Sequence, residues 1–291
     1  ITYTWEEGEI ENTYLPGDFS VSPAKKVQFA SGNVVFQPST KTWRFAPNQL
    51  TVLGKYNKNV EKEDYKGWLD LFGWSTDSNY FGASSSSSDS HYEGDFVDWA
   101  ANFGPMWHTM SSEEWEYLIN ERPNASSLYS IATVNGTNGI ILLPDDFVCP
   151  TGIEFNAQSY DWDTNSYSLE NWSKMESAGA VFLPCAGYRY EYEFRDDEYQ
   201  SGRYWTSTPE GRLWFDDYYG LEVDNGGNPY YGYSVRLVYC KACEDDTEKP
   251  IITTSAKSAD LGLNPLIFEP EFKACDDCDL AVEVMVTTKG V

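Results

Sequence analysis

The sequence predicts an α+β fold. Two short helices and small antiparallel sheets are joined by long structured loops, and a β-rich tail follows. Three observations carry that reading. Only two segments combine helical spacing of apolar residues with start and stop signals. Elsewhere apolar residues come in short runs beside turn dipeptides, as small strands do. Aromatic residues make up 16% of the 291-residue chain and recur in stretches rich in Ser, Asp, Gly and Asn. Such stretches are loops by composition, and bulky rings would anchor them.

Residues 1–14 read as an extended N-terminal segment. Val27 and Phe29, the turn Ser31-Gly32-Asn33, then Val34 and Phe36 read as a β-hairpin, and Thr42 to Phe45 as a further strand. From Leu53 to Trp107 the periodicity dissolves into a charged stretch and a serine run, with Trp68, Phe72, Trp74 and Trp99 as expected anchors. Ser111 is placed to cap a helix whose first turn holds Glu113 and Glu114. Trp115, Leu118 and Ile119 share its inner face, and Pro123 stops it. His108 lies just before, in what reads as the approach to that helix, and its surroundings favour a structural role.

Residues 132–134 and 139–143 read as a hairpin around Asn135-Gly136. A second helix spans 168–178, with Leu169, Trp172 and Met175 on one stripe and Gly179 after its end. Residues 180–183 read as a buried strand, and 205–207 and 234–238 as others. After Cys240 the composition changes. Residues 244–250 look like a domain edge, while 251–254 and the alternating run 280–286 read as strands. The expected division is an N-terminal segment 1–14, a main domain 15–239 and a tail 240–291. A free alternating strand is an aggregation hazard, so the run at 280–286 is expected to pair with a sheet of its own chain or of a neighbouring subunit.

The net charge is −26, with 46 acidic against 20 basic residues. That disfavours nucleic acid and anionic membrane as partners, because both need basic patches. No apolar run is long enough to span a bilayer. With His91 and His108 as its two histidines, the chain has few candidates for a Ser-His-Asp or Cys-His machine. Carboxylate pairs are so frequent that none stands out as a glycosidase pair. Asp161 to Asn165 imitates the start of a calcium loop, but Ser166 and Trp172 occupy the positions that need Gly and Glu. No catalytic residue, metal ligand or cofactor is therefore expected.

Six cysteines, Cys149, Cys185, Cys240, Cys243, Cys275 and Cys278, fit an exported protein with disulfides. The two CxxC units are also the pattern of a tetrahedral zinc site. Their wide separation and the exported character of the chain favour disulfides tying Cys240/Cys243 to Cys275/Cys278.

Eleven of the 21 tyrosines fall within residues 188–239, along with Trp205, Trp214, Phe194 and Phe215. Tyr mixed with Asp, Gly and Asn is the composition of recognition surfaces, broad amphipathic area at low entropy cost. Packing of these rings beneath long loops is the bland alternative.

Four stretches together resemble a known family. They are VSPAKKVQFASGNVVFQPSTKTWRFAPNQ at 21–49, WHTMSSEEWEYLINERP at 107–123, ATVNGTNGIILLPDDF at 132–147, and GAVFLPCAGYR, YWTST and GYSVRLV between 179 and 238. In combination they look like the FISUMP-type secreted proteins of gut bacteria, which in turn resemble the C-type-lectin fold of formylglycine-generating enzymes. The resemblance spans about residues 15–239 and implies secretion or surface display. Cys185 replaces an alanine of the family pattern and Cys149 follows the LLPDDF end, so a disulfide between these two is expected. No cysteine lies between Cys185 and Cys240, so the oxidation chemistry of those enzymes is not expected, nor is a sugar-binding calcium triplet present.

The chain also resembles retroelement-diversified C-type-lectin relatives, which keep a rigid scaffold and vary loops near its C-terminal end. That implies a ligand face of Tyr190, Tyr192, Phe194, Asp197, Trp214, Asp217, Tyr218, Tyr219, Asn228, Tyr230 and Tyr231. The expected role is an adhesin or variable receptor-binding module, taking a protein or glycan on another surface. The alternatives are a subunit of a surface fibre or pilus tip, joined to its neighbour through the tail strand, and a glycan-active enzyme.

Overall fold

The computed structural model describes residues 14–54, 57, 62–83, 92–190, 193–195, 200–240, 251–254 and 272–275. The fold is mixed α+β, with two α-helices and several small sheets among these residues. Strand β1 (Phe19–Ser20) turns back into β2 (Lys26–Phe29), which buries Val27 and Phe29. The expected hairpin of residues 27–36 does not form. Strand β3 (Val34–Gln37) pairs instead with β4 (Thr42–Phe45), in a separate two-stranded sheet. The reason is Asn33, which is buried and crosses over the chain at 235–237: its Oδ1 accepts from Arg236 Nε at 2.9 Å. At Gly32 a Cβ would lie 2.4 Å from the Ala46 carbonyl oxygen, so only glycine passes there.

Between Leu53 and Trp107 the described chain is irregular but anchored. Phe72, Trp74 and Trp99 are buried as expected, while Trp68 is half-buried and its neighbour Leu69 takes the buried place. Asp70 is fully buried; it accepts from Leu53 N at 2.8 Å and from Asn57 Nδ2 at 2.6 Å. Burial raises its pKa to about 6 despite those hydrogen bonds.

Residues 107–109 form strand β5 (Trp107–Thr109) rather than the approach to a helix. Helix α1 (Ser112–Glu116) starts where its cap predicts. Ser111 Oγ accepts from Glu114 N, and Glu114 Oε2 accepts from Ser111 N, a complete capping box. The helix continues as one wide π turn (Tyr117–Glu121) and ends at Arg122. His108 Nε2 and Lys25 Nζ lie 3.3 and 2.7 Å from Glu114 Oε1, so His108 belongs to the network that holds this cap. Burial opposes ionisation of Glu114, but His108 and Lys25 outweigh it and hold its pKa down to about 2.

Strands β6 (Tyr129–Val134) and β7 (Thr137–Leu142) form the expected hairpin. Asn135 and Gly136 have φ of 49° and 80°, the left-handed pair that such a tight turn requires. Strand β8 (Ser166–Tyr167) lies parallel to β6. It leads into α2 (Leu169–Ser177), capped by Ser168 and followed by Gly179 at φ 94°. Trp172 and Met175 pack beneath the hairpin sheet, whereas Leu169 is 52% exposed and leaves the stripe predicted for it. Strand β9 (Val181–Pro184), buried at every position, completes the order β8-β6-β7-β9.

Strands β10 (Tyr188–Tyr190) and β11 (Glu193–Arg195) pair with each other. Strands β12 (Ser201–Trp205), β13 (Arg212–Asp216) and β14 (Gly220–Asp224) form an antiparallel sheet. Thus the strand predicted at 205–207 ends, rather than starts, near Trp205. Strand β15 (Leu237–Tyr239) enters between β2 and β5, closing the sheet β1-β2-β15-β5 with both ends of the main domain. Just before it, Arg236 is 2% exposed. It donates to Asn33 Oδ1, Ala30 O and Phe182 O at 2.8–2.9 Å, fastening three elements at one point. In the tail, β16 (Ile251–Thr254) pairs antiparallel with β17 (Phe272–Cys275). The run 280–286, His91, Cys243 and Cys278 lie outside the described residues.

The predicted Cys149–Cys185 disulfide is absent. Cys149 lies exposed beyond the end of β7, where its thiol donates to Ile153 O at 3.2 Å. Cys185 is sealed in the core at the end of β9, and burial pushes its pKa well up. Cys240 also carries a free thiol. The segment after β7 runs along the surface, so nearness in the core pattern did not bring the two sulfurs together.

Candidate functional site

Alternation along β13 builds the site. Leu213 and Phe215 point into the core, so Arg212, Trp214 and Asp216 share the other face. The register sets Trp214 between Arg203 of β12 and Glu222 of β14, and Arg212 between Trp205 and Asp224. Arg212 forks onto Asp224 at 2.7 and 2.9 Å and donates to Tyr233 Oη at 3.2 Å. Burial works against both charges of the Arg212–Asp224 pair, but the paired bonds prevail. The Asp224 pKa is therefore lowered and that of Arg212 raised.

The arginines join this face to the tyrosine loops. The Arg203 guanidinium lies 4.0 Å from the Tyr188 ring centre, and that of Arg212 5.5 Å from Trp214. Tyr188 contacts Tyr231 and Tyr233, and Tyr190 contacts Tyr230 and Tyr231 at 6.1 and 5.4 Å. Backbone bonds between Arg189 and Gly232, 2.8 and 2.9 Å, stitch β10 to the loop at 228–233. Phe72 is bonded to Tyr233, and Trp74 N to Pro229 O, so the buried 69–74 segment braces that loop from below.

At the far end, the β13–β14 turn presents two rings. Asp216 Oδ1 accepts from both Tyr218 N and Tyr219 N, at 2.9 and 2.6 Å, and Gly220 closes the turn at φ 81°. Tyr218 is 78% and Tyr219 58% exposed. Tyr219 lies 5.3 Å from Trp214 and 4.6 Å from Tyr218. Tyr160, 59% exposed and far away in sequence, abuts the same turn: a Cβ at Gly220 would lie 2.6 Å from its Cε1.

Of the predicted site residues, Tyr190, Trp214, Asp217, Tyr218, Tyr219, Tyr230 and Tyr231 lie exposed or half-buried on this sheet or on loops joined to it. Phe194 is half-buried and packs on Gly187. Asn228 is turned into its own loop, its Oδ1 accepting from Tyr230 N at 3.3 Å. Tyr192 and Asp197 lie outside the described residues. The sequence reading missed Tyr188, Arg203, Arg212, Asp216 and Tyr160. For Arg212 and Asp216 a signal existed, the alternation of residues 212–216; for Tyr160 there was none.

Among the described residues no group of three or more His, Cys, Asp or Glu side chains is placed to hold a metal ion, and no helix is long and apolar enough to cross a membrane. No family model matches the chain, and no curated protein or solved structure is significantly similar to it.

Proposed function

We propose that the chain is an exported, surface-displayed binding module of C-type-lectin-like architecture. It recognises a protein or glycan through the outer face of the β12-β13-β14 sheet and the tyrosine loops joined to it, without catalysis. The observation that carries this reading is the Asp216 turn. A carboxylate fixes the backbone beneath two adjacent, exposed tyrosines, beside a half-buried tryptophan. Rings held in place before contact lose little entropy on binding.

The FISUMP-type and C-type-lectin-like assignment is supported by the four sequence stretches, the two helices, and the sheet that joins the ends of the main domain. The likeness to retroelement-diversified proteins is supported by the separation of braced framework from tyrosine-bearing loops. Export now rests on that resemblance, since the Cys149–Cys185 bridge expected of it is absent.

The test is a screen of the purified chain on glycan and surface-protein arrays, beside the triple variant Trp214→Ala, Tyr218→Ala, Tyr230→Ala. The wild type should bind one ligand class. The variant should lose that binding while its circular dichroism stays native. Undiminished binding by the folded variant would move the ligand face elsewhere.

A further inference from the structure

A groove of about 530 Å³ lies between α1 and the end of β14; it shares Asp224 with the candidate site but none of the site's tyrosines. Val21, Tyr117 and Val223 give it apolar walls. Among the described residues, strand β14 pairs with β13 on one side and with no strand on the other. Among the described residues, Leu221, Glu222 and Val223 make no backbone hydrogen bond outside that pairing. Alternate N–H and C=O groups of an edge strand point outward, so this is an unfilled template beside an apolar trough.

The charge of the groove is lopsided. Glu114 and Asp224 are neutralised within the fold by Lys25 and Arg212. Glu113, Glu116 and Glu121 also line the groove, and none has an ion-pair partner among the described residues. We propose that an extended, lysine- or arginine-rich segment of another protein docks here as an added strand on β14. Strand addition supplies affinity through main-chain bonds, and the three carboxylates select a cationic occupant.

The chain's own outlying segments are poor candidates on charge. Residues 1–13 carry Glu6, Glu7, Glu9 and Glu11 and no base, and residues 276–291 carry four acids against Lys289. The overall charge of −26 would likewise steer a basic partner inward and repel a second copy. Five residues of β14 offer a strand of roughly 17 Å, so about five to seven residues of partner fill the edge.

The probe is an acetylated, amidated heptapeptide alternating lysine and valine, titrated into the full chain at low salt. Two controls accompany it. One alternates glutamate and valine. The other keeps the lysine–valine sequence but carries N-methyl groups on alternate amides, so it retains the charge and cannot pair as a strand. The expected result is saturable binding of the first peptide alone, slowed hydrogen exchange at the outward β14 amides, and at least tenfold weaker binding to Glu113→Gln, Glu116→Gln, Glu121→Gln. Equal binding of the N-methylated peptide would reduce the effect to bulk charge attraction and overturn the proposal. So would unchanged exchange at β14, unchanged affinity in the triple variant, or no binding at all. Tyr218→Ala should leave the peptide titration unchanged, which keeps this test separate from that of the tyrosine face.

Discussion

Arg236 and Arg203 both lie among aromatic residues, in opposite circumstances. Arg236 is closed off from solvent, and its guanidinium directs three hydrogen bonds at Asn33, Ala30 O and Phe182 O. Burial lowers its pKa to about 10, yet it stays charged at neutral pH. Near it, Tyr204 is equally sealed, its hydroxyl donating to Pro184 O at 2.9 Å. On the tyrosine face, Arg203 is half-buried and lies over a ring, and Tyr218 and Tyr219 leave their rings in solvent. The same residue types therefore do two jobs. Where every polar end is matched inside the fold they fix the framework; where rings stay open on a braced backbone they are free to meet a partner.

The comparison breaks first at Arg236. Arg236→Met removes the donor for two backbone carbonyls and leaves Asn33 facing an apolar chain, which should cost about 3 kcal/mol or more. Urea denaturation reads it directly. A loss below about 1 kcal/mol would mean that the guanidinium is not the fastening point.

One buried and one half-buried carboxylate give the next effect, with opposite signs. Asp70 has a folded pKa of about 6, above its ordinary 3.8, so the native state takes up the proton first. Its contribution to stability therefore grows as pH falls through 6 and is complete below 3.8. Glu114, held at about 2 against an ordinary 4.5, stabilises above pH 4.5 and loses that contribution as pH falls toward 2. Between pH 7 and 4.5, Asp70 should make the wild type gain about 2 kcal/mol relative to Asp70→Asn. Denaturation curves at the two pH values check this, and parallel behaviour of both proteins would contradict it.

The smallest stability change belongs to the tyrosine face. Replacing Tyr218 and Tyr219 with alanine should shift unfolding by about 0.5 kcal/mol or less, as for exposed sites generally. Binding of any ligand found on the arrays should nevertheless fall by a factor of about 100 or more. A large loss of stability would instead place the pair in the framework.

What the sequence determined by itself was local. Ser111 with Glu114, Ser168, the Asn135-Gly136 turn and Gly179 specify their own caps and turns through contacts a few residues apart, and the structure contains each of them. The richness of residues 188–239 in tyrosine likewise marked the region of the candidate site, and Trp214, Tyr218 and Tyr219 lie on it. Tertiary structure alone decided the pairings. Asn33 was needed under Arg236, 203 residues away, so β2 and β3 parted into different sheets where alternation predicted a hairpin. Tyr160 reached the candidate site because Gly220 leaves room for its ring, and Cys149 missed Cys185 because its segment stayed on the surface. Caps and turns are settled by hydrogen bonds within one turn of chain. Strand partners, thiol pairs and faces shared by distant loops are settled by which buried polar groups can be satisfied together, and that requires the whole fold.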